Sequence, residues 1–256
     1  MKKMVSILSI FATTVAIASS VQSDNTFGVL KLDIGTVAGQ TIISVPWENV
    51  GGGDIEVDKI MLTNNLAVDD QLWYFNQSSK KYQVWKLTAT GWTAQDVVPE
   101  GASQEAASDA TTVPRGSALI IERNSAGSDG NIYLYGQYTE TTATNTIATS
   151  SSAAVYSLIA PTATTGSTVD LNSDLDYEGT PLVGDQIIQG AGTANIYTYR
   201  VPTGEDSSAW CRTSWVEQGG AKVQQFVATD VTLPVGKGAW YLRQASEAEA
   251  LKLIWK

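Results

Sequence analysis

The chain has 256 residues and carries 16 Lys+Arg against 26 Asp+Glu, a formal net charge of -10, with no histidine and a single cysteine. That balance argues against nucleic acid as a partner, because phosphate contacts need a concentrated basic surface. The missing imidazole removes Ser-His-Asp and Cys-His catalysis and histidine metal sites, and Cys211 alone can neither close an internal disulfide nor build a thiolate cluster.

Residues 1–23 read as a signal peptide. Lys2 and Lys3 precede an almost wholly apolar run from Met4 to Ala18, and both Ala16-Ile17-Ala18 and Val21-Gln22-Ser23 fit a small-x-small cleavage pattern. The run is shorter than the roughly 20 residues of a membrane span, and no later stretch approaches that length. The expectation is a secreted, periplasmic or cell-surface protein with no membrane span after cleavage, which removes two lysines and brings the net charge to -12.

Beyond the leader, short runs rich in β-branched and aromatic residues, bounded by Gly, Asn, Asp and Ser, predict strands at Phe27–Leu32, Thr41–Val45, Leu72–Phe75 and Tyr82–Leu87. Val57, Ile60 and Met61 fall on one helical face ahead of Asn64-Asn65, which leaves room for one short helix per copy, the second copy keeping the length there but not the clean pattern. Glu100–Thr112 reads as a long loop. Ala118–Arg123 and Ile132–Tyr135 flank a turn-rich segment and predict a hairpin. Thr139–Ala154 is Ser/Thr/Ala-rich and nearly uncharged; it reads as a linker, with a poorly marked strand as the alternative.

The pattern then recurs. Ile42-Ile43-Ser44-Val45-Pro46 returns as Ser157-Leu158-Ile159-Ala160-Pro161, and Asp70-Gln71-Leu72 as Asp185-Gln186-Ile187. Tyr82-Gln83-Val84 aligns with Tyr197-Thr198-Tyr199, and Pro114-Arg115-Gly116 with Pro234-Val235-Gly236, each motif running on to an arginine, Arg123 or Arg243. Four anchors in one order predict a mainly β chain: two tandem copies of a small β-sandwich or barrel-like domain, at 24–138 and 155–256, joined by a linker at 139–154. Each copy is long enough to bury its own core.

Three kinds of site are expected. Asp54, Glu56 and Asp58, and in the second copy Asp170, Asn172 and Asp174, alternate as oxygen ligands for calcium would, although Leu175 and Pro181 stand where a calcium loop has its turn glycine and bidentate glutamate. Read otherwise, these are acidic residues capping a first turn. The second kind is aromatic: 8 Trp and 10 Tyr include Trp73, Trp85, Trp92, Trp210, Trp215 and Trp240, candidates to stack on sugar rings or to pack across strands in the core. The third is a carboxylate pair, Asp69-Asp70, whose neighbours on a strand would point apart. Asp70 and Asp185 recur beside a turn, and Arg123 and Arg243 are expected to pair with them as structural bridges.

The segments T-I-I-S-V-P-W (Thr41–Trp47) and G-K-G-A-W-Y-L-R (Gly236–Arg243), behind a signal peptide, resemble a group of uncharacterised secreted bacterial proteins with repeated β-domains. The resemblance implies location and architecture and attaches no reaction. The chain is therefore expected to be a non-catalytic exported protein, a cell-surface, matrix or appendage-associated structural or binding component with a protein partner or self-association. A carbohydrate-binding protein using the Trp/Tyr clusters on an extracellular glycan is the alternative, and a hydrolase acting on an extracellular polymer comes third. No cofactor other than calcium is suggested.

Overall fold

The computed structural model describes residues 27–57, 65–76, 79, 81–95, 104–108, 111–127, 130–139, 141–162, 167–190, 196–246 and 250–256. The signal peptide expected at 1–23 and most of the helix expected around Val57–Met61 lie outside them. The described residues form antiparallel sheets, as the composition of the runs predicts.

In the first half, strands β2 (Gly39–Ser44), β4 (Gln71–Asn76), β5 (Lys81–Thr88), β6 (Gly91–Gln95) and β8 (Ala118–Arg123) make a five-stranded sheet in the order β2-β8-β4-β5-β6. Two ribbons close over it: β1 (Phe27–Asp33) with β9 (Asn131–Gln137), and β3 (Ile55–Glu56) with β7 (Thr112–Val113). Period-2 burial explains the choice of strand. In β9, Ile132 and Leu134 turn inward while Tyr133 and Tyr135 stay half-buried. They meet Leu72, Trp85, Leu119 and Ile121 from the main sheet in a sandwich core.

The second half has a six-stranded sheet in the order β11-β19-β14-β15-β16-β17. Its members are β11 (Val155–Ile159), β14 (Gln186–Ile188), β15 (Ile196–Arg200), β16 (Ala209–Gln218), β17 (Ala221–Val227) and β19 (Ala239–Arg243). Strands β10 (Ala143–Ile147), β20 (Leu251–Trp255) and β13 (Leu175–Glu178) form a three-stranded sheet, and β12 (Thr168–Asp170) pairs with β18 (Thr232–Pro234). Trp210, Trp255 and Tyr241 fill the core between them. The stretch read as a linker thus contains a strand: Ala143 and Ile147 are buried, and β10 pairs with β20 from Ala143↔Trp255 to Ile147↔Leu251. The turn at 171–174 and β13 follow β12, where the second copy left room for a helix.

Between the halves lies a third apolar cluster. Strand β8 is buried almost throughout because it faces two ways: Leu119 and Ile121 enter the first core, while Ala118 and Ile120 join Trp73 and Val84 against Leu158 and Ala160 of the second half. Backbone bonds stitch the same seam. Ser44 N donates to Gly236 O at 2.9 Å, Gly238 N donates to Ile42 O at 3.0 Å, and Ser44 Oγ donates to Pro161 O at 3.0 Å.

Candidate functional site

Of the six tryptophans expected as platforms, four belong to the apolar interior. Trp85 and Trp210 are fully buried, and Trp73 and Trp92 nearly so. Trp85 Nε1 donates to Ser108 O at 3.1 Å, and Trp210 Nε1 donates to the Tyr177 hydroxyl at 2.6 Å. Burying such rings contributes on the order of 3 kcal/mol each to folding, and a ring so placed meets no ligand. Trp240 is half-buried at the seam. Trp215 stands apart, 62 % exposed on β16 opposite Gln224 of β17, in the part of the hairpin that runs beyond the core.

Asp54 is exposed and Glu56 half-buried on β3, and Asp58 lies outside the described residues. In the second half the oxygens are already engaged: Asp170 Oδ1 accepts from Asn172 N at 2.8 Å, and Asp174 Oδ2 from Asp170 N at 2.9 Å. Asn172 Oδ1 accepts from Trp210 N at 2.9 Å, while its amide donates to the carbonyls of Trp210 and Ala228. These side chains build the turn between β12 and β13 and tie it to the core. Among the described residues, no three His, Cys, Asp or Glu side chains gather as metal ligands would.

Asp70 and Asp185 are both fully buried and accept the same pair of backbone bonds. Asp70 accepts from Ala67 N and Asn124 N, each at 2.9 Å; Asp185 accepts from Leu182 N at 2.9 Å and Gln244 N at 2.8 Å. Each carboxylate thereby joins its own turn to the end of β8 or β19. Asp185 also receives Arg243 Nη1 at 2.8 Å and the Tyr241 hydroxyl at 2.7 Å. Burial, and then the neighbouring carboxylate, hold the Tyr241 hydroxyl far above the usual tyrosine range. The expected bridge is present there, whereas Arg123 Nη1 donates to Gly35 O and its Nη2 to Asn65 O at 3.4 Å. Asp69 is exposed, has φ +80°, and pairs with Lys86 Nζ at 2.5 Å. Thus the two adjacent carboxylates do not share a cleft as a glycosidase pair must.

The concave site lies at the seam. A cleft of about 500 Å³ opens between β2 of the first half and the start of β19 in the second. Ile42 and Ile120 give it apolar walls, Trp240 an aromatic one, and Gln40 and Gln189 its amides. Lys237, also on the wall, donates its ammonium to the Asp33 carbonyl, and burial draws its pKa down. The ring of Trp240 meets Tyr156 edge to face at 6.1 Å. Gly236 and Gly238 permit this approach. A Cβ on Gly238 would stand 2.4 Å from Ile42 Cγ2 and 3.0 Å from Ile43 O, and Gly236 has φ +84°. Sequence reasoning singled out Trp240 but not Gln40 or Gln189. The glycines either side of Lys237 were the signal, since glycine at a strand entrance marks a close backbone approach.

No known protein family, curated protein or solved structure matches this chain. No helix among the described residues is long and apolar enough to cross a membrane.

Proposed function

We propose that the chain is an exported, non-catalytic structural or binding component of the cell surface or extracellular matrix, built from two copies of one β-unit. The observation that carries this reading is Trp215, a large apolar ring 62 % exposed on a hairpin that projects past the core. A tryptophan there adds nothing to the interior, and an exposed ring beside a sheet edge is the kind of surface a partner or second copy covers. The common strand order of the two main sheets and the matching bonds of Asp70 and Asp185 support the two-copy organisation.

The test uses residues 24–256, by sedimentation velocity and by retention on washed envelope and matrix fractions of the producing cells. The reading expects self-association or retention in the natural chain and its loss in Trp215→Ala, with thermal stability unchanged. A natural chain that stays monomeric and unretained would end it. A second reading, carbohydrate binding, is favoured by Trp240 on the wall of the seam cleft.

A further inference from the structure

The geometry points to the seam cleft as a binding site for one uncharged saccharide unit of a glycan, seated on Trp240 and hydrogen-bonded by the amides of Gln40 and Gln189. The inference rests on the carbohydrate reading and deepens it by naming the site and the ligand class. At about 500 Å³ the cleft lies within the usual range for small-ligand sites, roughly 300–1,000 Å³. Its composition suits a sugar. A pyranose presents an apolar C–H face and a rim of hydroxyls, and here an aromatic wall and two aliphatic side chains face two carboxamides.

The amides have hydrogen-bonding capacity to give. Gln189 Nε2 is buried with no acceptor among the described residues. Among the described residues, the Gln40 side chain is held by one 3.4 Å contact, from its Nε2 to Glu122. A carboxamide both donates and accepts, which is what vicinal hydroxyls require. Lys237 is the one charged residue among the described residues that line the cleft, and its ammonium is already engaged by the Asp33 carbonyl. With a net charge of -12 on residues 24–256, the two leader lysines removed, the cleft favours a neutral glycan over a carboxylated one.

Among the described residues, the cleft at the corresponding place around Pro114–Ala118, lined also by Thr144–Thr146 and Leu158, is smaller, about 270 Å³. Arg115 and Asn145 line it, with Arg115 Nε committed to Pro46 O at 3.0 Å and Asn145 Nδ2 to Gly116 O at 2.8 Å. Ile120 also stands on β8 where β19 carries Trp240: Ile120 pairs with Trp73 of β4, and Trp240 with Ile188 of β14. One site per chain follows.

Isothermal titration calorimetry on residues 24–256 would use neutral cello-, malto-, xylo-, manno- and chito-oligosaccharides, with oligogalacturonate as the anionic probe. The proteins would be the natural chain, Trp240→Ala, Gln189→Ala and Trp215→Ala, each checked by thermal melting. The expected result is saturable 1:1 binding of a neutral oligosaccharide, weakened at least tenfold by Gln189→Ala, abolished by Trp240→Ala and unchanged in Trp215→Ala. Should Trp240→Ala fail to fold, Gln189→Ala decides. Absence of binding by every neutral probe would overturn both the site and the carbohydrate reading. Binding that survives Gln189→Ala, or that only Trp215→Ala removes, would overturn the site and leave the carbohydrate reading standing elsewhere on the surface. Tightest binding of oligogalacturonate would overturn the uncharged ligand class.

Discussion

The carboxylate of Asp185 accepts two backbone amides, the Tyr241 hydroxyl and the Arg243 guanidinium, and the Asp185, Tyr241 and Arg243 side chains are all buried. Arg243→Ala would leave a buried anion with its counter-charge gone, so a loss of about 3–5 kcal/mol is expected. Urea denaturation checks it, and a loss under about 1 kcal/mol would show that the pair is not buried in solution. The tyrosines around this core give a second expectation. Burial is the first cause that raises Tyr241, Tyr177 and Tyr197, so the folded chain holds these phenolic protons more tightly than the unfolded chain, whose tyrosines titrate near 10. Their contribution to stability is therefore fully present below about pH 10 and is lost as the pH rises from there toward the folded-state values. Absorbance at 295 nm should show these hydroxyls ionising in the same step that removes the far-UV circular dichroism. A smooth titration of all 10 tyrosines with the sheet signal intact would refute it.

Trp47, at the end of the T-I-I-S-V-P-W segment, lies across the β1–β9 ribbon where Gly28 and Gly136 face each other in register. A Cβ on Gly136 would stand 2.4 Å from Trp47 Cβ and 2.5 Å from Glu48 O, and neither neighbour is the free end of a flexible chain. Gly136→Ala should cost about 1–3 kcal/mol through overpacking, read as a lower midpoint in denaturant at unchanged slope; an unchanged midpoint would mean that the indole does not rest there. Elements of this kind were unevenly legible. The strands predicted at Ala118–Arg123 and Ile132–Tyr135 are present because their runs of apolar residues mark buried strands, but they do not pair as the expected hairpin: β8 lies between β2 and β4, and β9 pairs with β1. Strand β10 was hidden because its inward face is Ala143, the polar Asn145 and Ile147, while Thr144 and Thr146 are exposed, so five residues carry only two apolar marks. The alignment of β5 with β15 was read three residues out of step. Leu87 N bonds Asp70 O as Tyr199 N bonds Asp185 O, which sets Trp85 against Tyr197 instead of Arg200. An aromatic ring therefore occupies that core position in both halves, a fact that register reveals and spacing alone does not.

At the scale of the whole molecule, the two segments that carried the family resemblance touch one another. Thr41–Trp47 supplies the strand edge, and Gly236–Arg243 begins with the turn that pairs with it: Ile43 bridges Lys237, Ser44 N donates to Gly236 O, and Gly238 N donates to Ile42 O across the seam. Sequence could mark both segments but not their contact, because nearly 200 residues separate them and neither hydrophobic period nor turn chemistry carries information over that distance. Where the second half has Gly238 at the seam, the first has Ala118, which sits within the apolar cluster and needs no such backbone approach. The seam buries Trp73, Ile120, Leu158 and Ala160, so separating the halves would expose side chains worth roughly 1.5–3 kcal/mol apiece for the larger ones. That is enough to couple two cores that could otherwise melt one after the other. The natural chain should then give one calorimetric transition with equal calorimetric and van't Hoff enthalpies. Gly238→Ala, whose Cβ would press on Ile42 and on the carbonyls of Ile43 and Ile159, should lower the midpoint and split the transition in two. Two separated transitions in the natural chain would show that the seam contributes too little to bind the halves into one folding unit.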